Sequence, residues 1–342
     1  MEDKLYQIAM AQIDPNGLCN SGCWFCPVAY SPNPEFAKKT MSLELLDSIC
    51  KQLHEGKGDF VTPNFDFIYT AHYNEVLLYK HFEEMLQIFR KYNFKTMVLS
   101  NGIPLTNQKV DIIKQYPDVV YGICLNIPSS EPELWAQYTK FNVKMFDRLM
   151  GQIQYAMDEL PEYVTSNRLT IQVNGVNENS LFHKGGWLIM KEGAPSIDMN
   201  PLSGTLANQV KGFQDRFPGL QVYDNPYLVD RAGTLADMGI ISNGLGIQRD
   251  ANALELLEIP STKKVIGCKN GREVGGRAKG WIHVNANGHM FICCNDYEMQ
   301  TIYGNLEEKP LKEIWNSEEH LSMVQQAYDT LCRTCGAAIW SE

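Results

Sequence analysis

Apolar positions follow two alternating spacings over the first two thirds of the chain. In residues 41–55 (MSLELLDSICKQLHE), Leu45, Leu46, Ile49 and Leu53 recur at helical intervals and share one face. The same spacing predicts a helix over 79–92 (YKHFEEMLQIFRKY) with Phe82, Met85, Leu86 and Phe89 inward, and another over 146–160 (FDRLMGQIQYAMDEL). Between and around these lie short apolar or alternating runs that predict strands: 6–13, 65–70 (FDFIYT), 95–102 (KTMVLSNG), 119–127 (VVYGICLNI), 169–176 (LTIQVNGV) and 196–202 (SIDMNPL). A succession of strand–helix units implies a parallel sheet with helices outside it. About six units imply a curved sheet or partial barrel, with its active site at the C-terminal strand ends. The loop after the first strand falls at that end.

The pattern changes after about residue 235. Residues 239–264 are loop-rich, residues 280–294 (GWIHVNANGHMFICC) predict a β-hairpin turning at Asn287 and Gly288, and residues 310–331 predict one or two short helices. The expected organisation is a barrel over 1–235, a linker over 236–264 and a small metal-held domain over 265–342.

Composition narrows the function. The chain has 342 residues, 44% hydrophobic and 20% charged, which suits a soluble globular protein with a sizeable core. Its formal net charge is -10 with no run of Lys and Arg, which argues against nucleic acid and anionic membrane as partners. No stretch approaches the roughly 18 to 20 apolar residues of a membrane helix, and the first residues lack the marks of a signal peptide. The expected location is cytoplasmic, where the ten cysteines stay reduced and clusters of them point to metal or catalysis.

The first cluster is Cys19, Cys23 and Cys26, a C-x3-C-x2-C run in a short loop. Three thiolates can hold a [4Fe–4S] cluster with one iron left open to a small chelating ligand. A zinc site completed by a fourth ligand such as His72, or incidental thiols, are the plainer readings. The second cluster is Cys268, Cys293, Cys332 and Cys335, which taken by itself favours tetrahedral zinc over an iron–sulfur cluster.

The C-x3-C-x2-C run after a first strand, with Phe25 before the last cysteine, resembles the signature of the radical S-adenosylmethionine superfamily. That resemblance implies an α/β partial (β/α)6 TIM-type barrel, a SAM-binding [4Fe–4S] cluster on Cys19, Cys23 and Cys26, and S-adenosylmethionine as cofactor. It implies reductive cleavage to a 5′-deoxyadenosyl radical that abstracts a hydrogen atom from substrate, with a flavodoxin or ferredoxin as electron donor. The segment AHYNEVLL stands where the family has a Gly-Gly-Glu-Pro-like stretch, with Asn74 and Glu75 in the Glu-Pro register; the glycines are missing and Val76 replaces proline. Cofactor contacts are therefore expected from Ala71, His72, Tyr73, Asn74 and Glu75, with backbone carbonyls of 71–73 serving in place of the glycines. Ser100, in a Ser-Asn-Gly that resembles the family's Thr-Asn-Gly, is a further contact or else a plain turn residue.

Gly288-x4-Cys293, the stretch YGNLEEKPLKEIWNS and Cys332-x2-Cys335 resemble the C-terminal SPASM and twitch extensions of such enzymes. Only four or five cysteines are present, which implies one auxiliary [4Fe–4S] cluster. The family spacing selects Cys293 over Cys294 as ligand. A cluster with all four positions filled would move electrons, as in an aminocyclitol dehydrogenase of antibiotic biosynthesis. The implied reaction is a net oxidation of a small sugar-like or nucleotide-like molecule. The alternatives are a peptide-modifying maturase, which the short stretch before Cys19 disfavours, and a zinc-stabilised binding protein without redox chemistry.

Remaining residues are weighed individually. Arg231 in DRAGTL meets a substrate carboxylate or makes a domain-joining salt bridge. Cys50 and Cys124 are expected in the core. His72 faces the site or is structural, and His283 and His289 are expected at the surface or behind the ligands. Tyr73 and Glu75 are candidates for a radical or proton partner.

Overall fold

The computed structural model describes residues 5–23, 26–29, 34, 37–174, 206–225, 247–248, 256–257, 262–335 and 337–342. Six parallel strands run in sequence order: β1 (Met10–Ile13), β2 (Ile68–Tyr69), β3 (Thr96–Ser100), β4 (Val120–Asn126), β5 (Leu169–Asn174) and β6 (Gln221–Asn225). A parallel bridge between Phe67 and Lys95 carries the pairing from β2 to β3. The helices between them are α1 (Leu43–Glu55), α2 (Phe82–Lys91), α3 (Asn107–Lys114), α4 (Pro132–Thr139), α5 (Met145–Glu159), α6 (Pro161–Thr165) and α7 (Leu206–Arg216). This is the α/β fold with a parallel sheet that the strand–helix alternation predicts. The expected strand over 196–202 lies outside the described residues, and the sixth parallel strand is β6.

Local chemistry sets the helix starts. Ser42 Oγ accepts from the Leu45 N–H at 3.1 Å and begins α1, and Thr106 does the same for Lys109 at α3. The predicted inward stripes are buried: Leu46, Ile49 and Leu53 on α1, and Phe82, Met85, Leu86 and Phe89 on α2, are each 0% exposed. They pack on Val98, Ile123, Leu125, Ile171 and Val173, the outward face of the strands, in one continuous core. At roughly 1.5–3 kcal/mol for each fully buried large apolar side chain, this layer fixes the barrel wall and leaves the inner face free for other chemistry.

That inner face is polar across β4, β5 and β6. Leu99 pairs with Cys124 and Asn126 with Gln172, which in turn pairs with Tyr223. The Tyr223 hydroxyl lies 3.5 Å from both Cys124 Sγ and Thr170 Oγ1. Cys124 is buried as expected, but it faces the barrel interior rather than the outer apolar layer.

The C-terminal part joins the barrel instead of standing beside it. After a short antiparallel pair, β7 (Ile247–Gln248) and β8 (Leu256–Leu257), come β9 (Val265–Cys268), α8 (Arg277–Gly280), β10 (Trp281–Val284), β11 (His289–Phe291), β12 (Ile302–Asn305), α9 (Leu311–Trp315), α10 (Glu318–Asp329) and β13 (Ala338–Trp340). The predicted hairpin is β10 and β11, turning at Gly288 with φ of 78°. Strand β10 lies parallel to β1 from Met10↔Trp281 to Ile13↔Val284, so the hairpin extends the barrel sheet at its first edge. His283 is consequently 1% exposed, with Nδ1 3.1 Å from Gln12 Oε1, rather than at the surface. Strand β9 pairs with β13 in antiparallel fashion, matching Cys268 with Ala338 and bringing it near Cys332 and Cys335. Among the described residues, no helix is long and apolar enough to cross a membrane.

Candidate active site

The loop after β1 carries the first three cysteines, and its neighbours hold its shape. Asn16 Oδ1 accepts from the Leu18 N–H at 2.8 Å, while its Nδ2 donates to the Glu75 carbonyl at 3.4 Å. Gly17 passes so close to residue 37 that a Cβ would sit 1.9 Å from the Ala37 carbonyl oxygen. The Gly22 N–H donates to the Thr139 carbonyl at 2.8 Å, and the Ser21 hydroxyl lies 2.9 Å from Cys23 Sγ. Cys19, Cys23 and Cys26 all line one cavity of ≈ 530 Å³, a size typical of small-molecule sites.

The rest of the cavity wall comes from strand ends. Residues Ala71, His72, Asn74 and Glu75 after β2, Ser100 at the end of β3 and Asn101 after it line the cavity, together with Gln12, Tyr69 and Asn126. Asn74 shapes the turn after β2: its Oδ1 accepts from the His72 N–H at 3.1 Å and its Nδ2 donates to the Thr70 carbonyl at 3.2 Å. The Ala71 carbonyl accepts from Gln12 Nε2 at 2.8 Å and keeps a second lone pair. Tyr73 turns the other way. It is 1% exposed, and its hydroxyl donates to the Asp296 carbonyl.

Glu75 ties two strand ends together. Its Oε2 accepts from the Asn101 N–H at 2.8 Å and its Oε1 from the Leu77 N–H at 3.2 Å. Burial pushes its carboxyl up to about 7, against the pull of those bonds and one from Ser100. His72 sits between the barrel and the C-terminal part. Its Nε2–H donates to the Cys294 carbonyl, and its Nδ1 lies 3.6 Å from the Asp14 carboxylate.

From the C-terminal part, Arg277, Trp281, Cys294 and Tyr297 also line the cavity. The sequence singled out none of these four as cavity residues. The one sequence signal among them is the Cys293-Cys294 pair, which reads as a choice of ligand. Cys294 lines the cavity, and Cys293, hydrogen-bonded to it, lies near Cys268, Cys332 and Cys335. Backbone N–H groups point at this second set, from Asn295 to Cys293 Sγ at 3.5 Å and from Ala337 to Cys335 Sγ at 3.4 Å.

Both sets suit thiolate-ligated iron by the chemistry of their donors. None of the ten cysteines is in a disulfide. Burial pushes the Cys19 thiol up to about 11 and Cys23 up to about 12, with neighbouring sulfurs adding to the rise. Burial likewise pushes Cys335 up to about 11. Thiols gathered so closely oppose one another's ionisation, and a bound metal centre reverses that by supplying the positive charge. Among the described residues, no group of three or more His, Cys, Asp or Glu side chains is arranged around a single metal-ion position. Arg231 and Phe25 lie outside the described residues.

Residues 13–181 match the model of the Radical SAM superfamily, and residues 276–336 match that of the SPASM iron–sulfur cluster-binding domain. No curated protein matches the sequence. Among solved structures, the chain resembles BtrN in complex with AdoMet and 2-DOIA, with a TM-score of 0.51 and 15% identity over 98% of this chain and 94% of that one. It also resembles native anSMEcpe with bound AdoMet, with a TM-score of 0.54 and 14% identity over 96% and 88%. Streptococcus suis SuiB bound to precursor peptide SuiA gives 0.50 and 15% over 97% and 70%. At these identities the likeness shows the fold.

Proposed function

Because the chain belongs to the radical S-adenosylmethionine superfamily and ends in a SPASM-type iron–sulfur-binding domain, we propose that it carries out a net oxidation of a small polar molecule. In this reading Cys19, Cys23 and Cys26 hold the AdoMet-binding [4Fe–4S] cluster, and Cys268, Cys293, Cys332 and Cys335 hold one auxiliary [4Fe–4S] cluster. Residues 1–235 form the barrel, 236–264 the linker and 265–342 the auxiliary part. The reduced cluster with AdoMet supplies a 5′-deoxyadenosyl radical, which takes a hydrogen atom from an unactivated carbon.

The observation that carries this reading is the cavity with one cysteine set on its wall and the other set behind Arg277 and Cys294. Oxidation of a carbinol to a carbonyl removes a hydrogen atom, a proton and an electron, and the arrangement offers a separate outlet for the electron. The chain's own residues bind and orient. Ala71, Asn74 and Ser100 offer hydrogen-bonding groups beside the first cysteines. Across from them the inner face bearing Asn126, Thr170, Gln172 and Tyr223 carries uncharged donors and acceptors, which match hydroxyl and amino groups. Arg277 and Trp281 close the far wall and help exclude water. A flavodoxin or ferredoxin in the cytoplasm is the proposed electron source.

The test is anaerobic reaction of the reconstituted protein with AdoMet, a reductant and a panel of aminocyclitols, sugars and nucleosides deuterated at the carbinol carbon. The expected result is deuterium in 5′-deoxyadenosine and a product short of two hydrogens. A product of unchanged mass, or turnover of peptides in place of the small molecules, overturns the oxidative small-molecule reading.

A further inference from the structure

Arg277 stands between the cavity and the second cysteine set, and its surroundings are unusual for a guanidinium. Its Nη1 donates to Cys294 Sγ, and it also hydrogen-bonds Cys293. The guanidinium lies 4.8 Å from the centroid of the Trp281 ring, while Nε is buried with no partner among the described residues. Among those residues, no carboxylate forms an ion pair with it; its opposing charges come from the sulfurs of Cys294, Cys293 and Cys268. The backbone is shaped to put it there. Gly275 and Gly276 have φ of 81° and 82°, and a Cβ on Gly276 would come within 2.8 Å of the Cys268 Cβ. Behind it, His320 Nε2 lies 3.0 Å from the Ala278 carbonyl and holds the short α8 turn in place.

A half-buried cation whose opposing charges come from sulfur alone is unfavourable beside neutral thiols and favourable beside thiolates. Thiolates are the state in which cysteines ligate iron. We propose that Arg277 is a positioning residue for the auxiliary centre: its charge and its N–H···S bond to Cys293 favour the reduced form and raise the reduction potential of that centre. Net charge and hydrogen bonds to sulfur are the terms through which a protein sets such potentials. Arg277 thereby makes the far side of the cavity the better electron acceptor. This inference rests on the proposed assignment of Cys293 as a ligand.

The test uses the full-length chain with Cys19, Cys23 and Cys26 changed to Ala, so that one centre remains. Iron and sulfide are counted after anaerobic reconstitution, and the midpoint potential is read by redox titration followed by electron paramagnetic resonance. With iron content unchanged, R277Q is expected to shift the midpoint to more negative values. R277K, which keeps the charge but not the two-sulfur fork, should shift it less. Parent-like midpoints in both variants overturn the proposal. If R277Q fails to take up iron, R277K decides alone: a lowered midpoint supports the proposal and an unmoved one overturns it. Absence of iron from the parent itself overturns the ligand assignment, and the inference with it.

Discussion

Glu75 shows how one side chain can report on the site. Its carboxyl is buried and raised to about 7 from an ordinary 4.5. Between those values an unfolded chain ionises while the folded chain keeps the proton. The contribution to stability is therefore fully present below about pH 4.5 and is lost as pH rises through 7, by about 3 kcal/mol in all. Urea unfolding of the cluster-free protein should show this fall, and Glu75→Gln should flatten it; equal slopes in the two proteins would contradict it. Gly17 makes a second residue-scale test. An added Cβ meets the Ala37 carbonyl at 1.9 Å, so Gly17→Ala should cost about 1–3 kcal/mol and loosen iron held by the adjacent loop, measured as faster iron release to a chelator. The paired cysteines make a third. Cys293→Ser should lower reconstituted iron from about eight to about four atoms per chain, whereas Cys294→Ser should leave it unchanged.

At the scale of elements, the outer surface of the barrel was legible and much of the inner one was not. Stripes such as Phe82, Met85, Leu86 and Phe89 announce α2 because they face a single apolar layer. The short α3 buries only Val110 and Ile113, too few to mark a stripe. Strand β6 (QVYDN) carries no legible pattern because Val222 is its one aliphatic residue and Tyr223, on the inner face, stands among polar neighbours. The hairpin of β10 and β11 was readable from its turn, but not its parallel seat on β1, since pairing across 270 residues leaves no local trace. That seat has a consequence. Ile282 is 0% exposed and pairs with Ala11, so Ile282→Ala should destabilise by about 2–5 kcal/mol. Barrel and C-terminal strands should unfold together, as coincident transitions by near-ultraviolet circular dichroism and by far-ultraviolet signal. Separate transitions would show that the seam is weak.

For the whole molecule, the cysteine spacings carried the identity, because a ligand loop is local and its chemistry needs those residue types at short intervals. The cavity wall was less readable. Gln12, Tyr69, Asn126, Arg277, Trp281 and Tyr297 come from five separate places in the chain and converge only when the strands align. His72, one possible zinc ligand by sequence, instead joins the Cys294 carbonyl to Asp14 across the seam between barrel and C-terminal strands. Radical generation is proposed at Cys19, Cys23 and Cys26. The most direct measurement is the yield of 5′-deoxyadenosine and methionine from AdoMet under anaerobic reducing conditions. It should be made on the reconstituted protein and on a variant with all three of these cysteines changed to Ala. Formation of both products by the first and neither by the second is the predicted result; cleavage that survives in the variant, or that never occurs in the iron-loaded parent, would contradict it.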